Sequence, residues 1–147
     1  MTIADVMNVN AARILQNGTV GQAAELLSST QASDLMVVDE EGNFRGVLSE
    51  GDLIRATLPR YDEILRDGGS LHDALESFVD NGRSMANNPI GPFVIKEPIT
   101  VSPKEMLLKA AGTMISKQIR RLPVVSDGKL VGTVSRADIC RSVLGAS

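Results

Sequence analysis

The segment Ile119 to Ile139 (IRRLPVVSDGKLVGTVSRADI) has an echo in Leu35 to Ile54 (LMVVDEEGNFRGVLSEGDLI), and this repetition constrains the fold more than any other feature of the sequence. Val37 and Val38 fall on Val124 and Val125, Gly42 on Gly128, Gly46 on Gly132, Ser49 on Ser135 and Asp52 on Asp138, and the match continues with Arg55 on Arg141 and Leu58 on Leu144. The offset is 86 residues from Gly42 onward and 87 before it, so the first copy carries one extra residue in Asp-Glu-Glu-Gly against Ser-Asp-Gly. A hairpin turn is where a duplicated unit tolerates a length change. Upstream, Ile14 falls on Val101, Ala23 and Ala24 on Ala110 and Ala111, Ser29 on Ser116 and Gln31 on Gln118. The chain is two copies of one unit of about 45 residues. A unit that small buries too little apolar surface to be stable alone, whereas two packed together can share a core.

That core must be aliphatic, because the 147 residues include three Phe, one Tyr and no Trp. A net charge of −3 and the lack of any extended basic cluster count against a nucleic-acid partner, which needs a field that neutralises phosphates. One Cys (Cys140) and one His (His72) exclude an internal disulfide and leave no zinc-type ligand spacing, so no metal is expected. The N-terminal stretch is polar and acidic where a signal peptide would be basic and then apolar, and no apolar run approaches membrane-spanning length. A soluble, cytoplasmic protein is expected.

In chain order, Met1 to Arg13 reads as a lead-in with a turn or two of helix, and residues 12–14 open a short strand. Val20, Ala23, Ala24, Leu26 and Leu27 share one helical face. Leu35–Asp39 and Phe44–Leu48 are strands around a turn, and Ser49 caps a helix with Leu53, Ile54 and Leu58 inside and Pro59 as its stop. In the second copy a strand at Ile99–Val101 precedes Ser102-Pro103-Lys104-Glu105, which has the form of a capping box. Met106, Leu107, Ala110, Ala111, Met114 and Ile115 supply that helix's inner face; strands at Leu122–Val125 and Leu130–Val134 flank Asp127-Gly128; a last helix runs from Arg136 to about Leu144. Cys140 reads as a half-buried residue of that helix and His72 as solvent-facing.

Each unit is therefore βαββα, with helices on one face of a three-stranded sheet, and the other face needs a partner, which the second copy supplies through a pseudo-twofold axis. The expected class is α+β, two pseudo-symmetric units packed sheet to sheet. Their bounds are 1–59 and 92–147, with an insert at 60–91. In the insert, Leu71, Ala74, Leu75, Phe78 and Val79 follow i, i+3, i+4, i+7 and i+8 behind Ser70 as a cap, which describes an amphipathic helix packed on this module or on a second subunit.

Two βαββα units, each closing on Gly-x-x-Ser-x-x-Asp before a final helix (Gly46 to Asp52 and Gly132 to Asp138), resemble the tandem cystathionine-β-synthase (CBS) domain, or Bateman module, with Arg120 to Val125 as the family-like strand. The resemblance covers nearly all of the chain outside residues 60–90 and implies a stand-alone module with no catalytic domain. It implies clefts between the units for an adenosine-containing ligand such as AMP, ADP, ATP or S-adenosylmethionine, and a disc-like homodimer. The ligand would be a signal, with no cofactor expected.

Carried over position by position, the resemblance places Ser49, Asp52, Thr100, Arg120 and Arg121 in one site: the carboxylate on the ribose hydroxyls, the threonine beside the base, the guanidinium groups on phosphate. A second site would combine Arg13, Ser33, Asp34, Ser135 and Asp138. Asp34 stands there where the first site has Arg121, so the second site should bind phosphate poorly. Ser-x-x-Asp is also a helix-capping motif, and capping is the favoured reading for Asp138, with ligand binding favoured for Asp52 because arginines stand opposite. The leading function is a non-enzymatic adenine-nucleotide sensor that passes its state on through a dimer or a regulated protein partner. The alternatives are a scaffold without ligand and a sensor of the S-adenosylmethionine type; an enzyme would need a nucleophile and base pair that the chain does not display.

Overall fold

The computed structural model describes residues 1–145. Its elements are β1 (Arg13–Leu15), α1 (Val20–Thr30), β2 (Asp34–Val38), β3 (Phe44–Ser49), α2 (Glu50–Thr57), α3 (Tyr61–Arg66), α4 (Leu71–Met85), α5 (Leu107–Ser116), β4 (Arg121–Ser126), β5 (Lys129–Ser135) and α6 (Arg136–Leu144). β1 runs parallel to β2, β2 antiparallel to β3, and β4 antiparallel to β5. Both antiparallel pairs are bulged at the same repeat position, Val37/Val38 and Val124/Val125.

The period-2 alternation of β2 separates two cores: Leu35 and Val37 pack with Ile14, Ala23, Leu27 and Leu53 under the helices, while Met36 and Val38 meet Ala11, Val47 and Leu130 between the units. Both faces of β2 are thus buried, as a strand between helices and a second unit requires.

The two copies are knitted together by the segment that leads into each. Ile3 and Val6, ahead of the first unit, belong to the core of the second; Ile90, ahead of the second, is fully buried in the core of the first, with Phe93 and Val94 against it. Beyond them Asn8 exchanges backbone hydrogen bonds with Thr133 on β5 (2.8 and 2.9 Å), and Ile95 does the same with Val47 on β3 (3.0 and 2.9 Å). The hairpin tips meet on the pseudo-twofold axis, where Phe44 N donates to Gly128 O at 2.8 Å and Leu130 N to Gly42 O at 3.1 Å. Asp127 and Gly128 both take positive φ (52° and 77°), the geometry the Asp-Gly pair selects in a tight hairpin.

Asp39 organises the longer first hairpin. Its carboxylate accepts from the side chain and backbone N–H of Asn43, from Arg45 and from Glu41 N, each at 2.9 Å. Those bonds, the Asn43 side chain first, hold its pKa well below the usual carboxylate range. A depressed folded-state pKa contributes stability that is present above the unfolded value and is lost as pH falls through the folded one. The melting-temperature gap between wild type and Asp39→Asn should therefore be widest near neutrality and close in acid below about pH 4, measured by thermal denaturation across pH. A gap independent of pH would contradict it.

Local expectations are corrected in the second copy, in α2 and at Cys140. In the second copy the first strand shrinks to a single parallel bridge, Val101 with Val124, so that sheet has two named strands. Ser102 to Glu105 forms a turn, and α5 starts only at Leu107, because the N-terminal segment claims this backbone: Ile3 N donates to Glu105 O and Ala4 N to Pro103 O, both at 2.9 Å. Consequently Met106 lies outside the helix and is exposed, as is Ile115. In α2 only Leu53 is buried while Ile54 and Leu58 are exposed, and Cys140 is exposed on α6. α4 forms with Ser70 and Asp73 as a reciprocal capping box and packs against α2 and α3, yet only Ala74 of its apolar stripe is buried, with Leu71, Leu75 and Val79 facing outward.

Candidate functional site

The two clefts between the units are related by the same pseudo-twofold axis but differ in size. The first has a volume of about 450 Å³, within the range of small-molecule pockets, and the second about 160 Å³.

One wall of the first cleft is the end of β3 and the start of α2: Val47, Ser49, Glu50, Gly51, Ile54 and Arg55. Ser49 is the helix cap, its Oγ accepting from Asp52 N at 3.1 Å, so this wall ends in a capped helix terminus that favours negative charge. The opposite wall comes from the second unit, where Gln118 in a left-handed conformation (φ 57°) ends the turn after α5 and delivers Ile119, Arg120 and Arg121 to the cleft. Gln31 (φ 58°) makes the matching turn after α1 and delivers Ser33 and Asp34. Ile95, Pro98 and Ile99 of the crossing segment add an apolar floor. Apolar surface beside a capped helix start and arginines can hold a flat base and an anionic tail at opposite ends of one molecule.

Of the residues expected in the first site, Ser49, Arg120 and Arg121 line the cleft. Asp52 stands just behind the lining, with its carboxylate engaged by the Arg55 guanidinium. Burial raises the Asp52 pKa, but the hydrogen bonds from Arg55 and Ser49 and the charge of Arg55 outweigh it, and the net shift is downward. Thr100 is exposed and outside the lining, its place taken by Pro98 and Ile99; in extended backbone a shift of one residue reverses the face a side chain presents. Arg55, Glu50 and the floor isoleucines were not read from the sequence as lining. The repeat carried a signal for Arg55, since Arg141 matches it and contacts Asp138 (3.2 Å) as Arg55 contacts Asp52.

Of the residues expected in the second site, only Asp34 lines that cleft. Ser33 lines the first cleft, and Asp34 lines both. Arg13 borders a separate groove beside α1. Ser135 and Asp138 are buried and lie outside the lining of the second cleft, because they close a reciprocal capping box: Ser135 N donates to Asp138 Oδ2 at 2.9 Å and Asp138 N to Ser135 Oγ at 3.0 Å. Asp52 lacks the return bond, which leaves its carboxylate turned toward Arg55 instead of the backbone. The same Ser-x-x-Asp pattern thus ends in different states in the two units. Among the described residues, no group of three or more metal-ligating side chains forms, and no helix is long and apolar enough to cross a membrane.

A family model described as the CBS domain matches residues 3–58 and 90–145. The chain is 26% identical over 139 residues to MJ1225 of Methanocaldococcus jannaschii, covering 95% of this chain and 41% of that protein. It is 30% identical over 139 residues to the chloroplastic CBS domain-containing protein CBSX1 of Arabidopsis thaliana, covering 86% of this chain and 56% of the relative. The chain thus spans about half the length of these two relatives. The crystal structure of CBSX2 in complex with AMP superposes with a TM-score of 0.73 at 26% identity, covering 97% of this chain and 96% of that one. With both matched segments coinciding with the two structural repeats, the chain belongs to the CBS domain family, as a tandem pair of these domains.

Proposed function

We propose that the protein is a non-catalytic regulatory module that binds an adenosine-containing ligand of the AMP, ADP or ATP type in the first cleft, and signals through the relative placement of the two units. The observation that carries this reading is the build of that cleft: an apolar floor, a capped helix start from one unit and Arg120 and Arg121 from the other, so that one ligand touches both units. The complex of CBSX2 with AMP supports the ligand class. Such a ligand shifts the arrangement of the units only by its differential affinity for the two states, which is how adenine-nucleotide levels would be sensed. The second cleft, at about 160 Å³, leaves less room for a second nucleotide.

The exposed apolar residues Leu71, Leu75 and Val79 on α4, with Leu108 and Ile115 on α5, support a homodimer as the working form. A cytoplasmic setting and a regulated protein partner belong to the same proposal. Calorimetric titration with AMP, ADP, ATP and S-adenosylmethionine is the test. The reading expects saturable binding of a phosphorylated nucleotide near one per chain, weakened in Asp52→Ala and retained in Asp138→Ala. Binding of S-adenosylmethionine alone would move the reading to that ligand class; no binding by any of the four would favour a scaffold.

A further inference from the structure

Arg121 lines both clefts, and so does Asp34, the residue that the pseudo-twofold axis places on it. The guanidinium of Arg121 is not central. It reaches diagonally across β4 and β5 and donates from Nη1 to Thr133 Oγ1 at 2.8 Å. Thr133 is buried at 1% exposure on the wall of the second cleft. The first cleft has no counterpart to this bond: Asp34 replaces the arginine and Val47 replaces the threonine, so no hydrogen bond can form between the matching side chains. Instead Asp34 accepts from the neighbouring Ser33 hydroxyl at 3.1 Å. The second cleft, whose wall holds the Thr133 that Arg121 reaches, is the smaller of the two, about 160 Å³ against about 450 Å³.

We propose that Arg121 is a shared residue that couples the clefts: bound to Thr133 it closes the second, and an anion in the first draws its guanidinium away from Thr133. The proposal rests on the reading of the first cleft as a phosphate-binding site. A guanidinium gains more from a phosphate than from a neutral hydroxyl, so the exchange is favourable, but breaking the Thr133 bond subtracts from the affinity that is observed. Thr133 is then a positioning residue for a ligand it does not touch. Withdrawal of Arg121 also leaves Asp34 as the charged group of the second cleft, which suits a neutral or cationic molecule there.

AMP affinity measured by calorimetry on wild type, Thr133→Val, Thr133→Ser and Arg121→Ala, with Thr133→Val repeated in the Arg121→Ala background, tests the coupling. Thr133→Val keeps the side-chain volume and removes the acceptor; it should bind AMP about three- to tenfold more tightly. Thr133→Ser should match wild type, and the gain from Thr133→Val should vanish once Arg121 is alanine. A side-chain NMR resonance of the Arg121 guanidinium, compared without ligand in wild type and Thr133→Val, reports the bond independently and should change between the two. Wild type and Thr133→Val binding AMP equally, or a gain that persists without Arg121, would overturn the sharing of Arg121. Failure of wild type itself to bind AMP would overturn the phosphate-site reading and the coupling with it, an outcome distinguishable because every variant would then be silent.

Discussion

Replacing Gly46 with alanine is expected to destabilise the fold by about 3 kcal/mol or more, a large fraction of the stability of a domain this size. Two independent effects add. Gly46 sits at φ +148°, where a side chain is strained, and a Cβ built there would lie 2.4 Å from Ile95 O and 2.6 Å from Val94 Cγ1. The atom it meets is backbone of the crossing segment, which cannot yield without giving up the paired hydrogen bonds between Val47 and Ile95. Its repeat partner Gly132 faces the equivalent obstacle, with Asn8 O at 2.7 Å from the added carbon. Both glycines are therefore the places where one unit's sheet accepts the strand-like segment leading into the other. Urea denaturation measures the loss. The control is Gly82→Ala in the interior of α4, where nothing stands within 4 Å and alanine should stabilise by up to about 1 kcal/mol. Equal effects at Gly46 and Gly82 would show that the crossing segment is not held against β3.

The largest expected effect on binding comes from Arg120→Ala, a loss of about 10- to 100-fold in AMP affinity with stability unchanged to within about 0.5 kcal/mol. Arg120 precedes β4, is exposed, and spends its backbone carbonyl on Arg136 N at 3.0 Å. Among the described residues, nothing hydrogen-bonds or ion-pairs with its guanidinium, whereas Arg55 is engaged by Asp52 and Arg121 by Thr133. It can therefore meet an incoming phosphate without breaking a prior bond. Arg120→Lys should recover part of the affinity, since an ammonium keeps the charge but loses the planar fork. Calorimetry on the two variants decides; wild-type affinity in Arg120→Ala would place the phosphate elsewhere.

Much of the architecture was legible because duplication repeats a local pattern and so supplies its own control. α6 spans Arg136–Leu144, the range read for the last helix, and the Asp127-Gly128 turn has the positive φ pair its sequence demands. What could not be read locally was the exchange of lead-in segments. Ser102 to Glu105 carries every feature of a capping box, yet its carbonyls are taken by Ile3 and Ala4, about a hundred residues earlier in the chain. No spacing rule contains that pairing.

The site divides the same way. Ser49, Arg120 and Arg121 sit at strand ends whose positions the repeat fixes, and they line the first cleft. Thr100 failed to line it because its segment makes only one bridge, so the alternation that would aim it is set by Val101 meeting Val124. Arg13, Ser135 and Asp138 were carried over from the family resemblance, which treats the two units alike, and the side chains break that likeness: a capping box closes over Asp138, and an arginine crosses to Thr133 where its mate is an aspartate.

Whether the first cleft takes an adenosine ligand across both units is decided by a crystal structure of the protein grown with saturating AMP. One AMP per chain is expected in the larger cleft, its phosphate against Arg120 and Arg121 and its base over Ile95 and Ile99. AMP in the smaller cleft with the larger one empty, or crystals of the saturated protein without AMP in either, would contradict it.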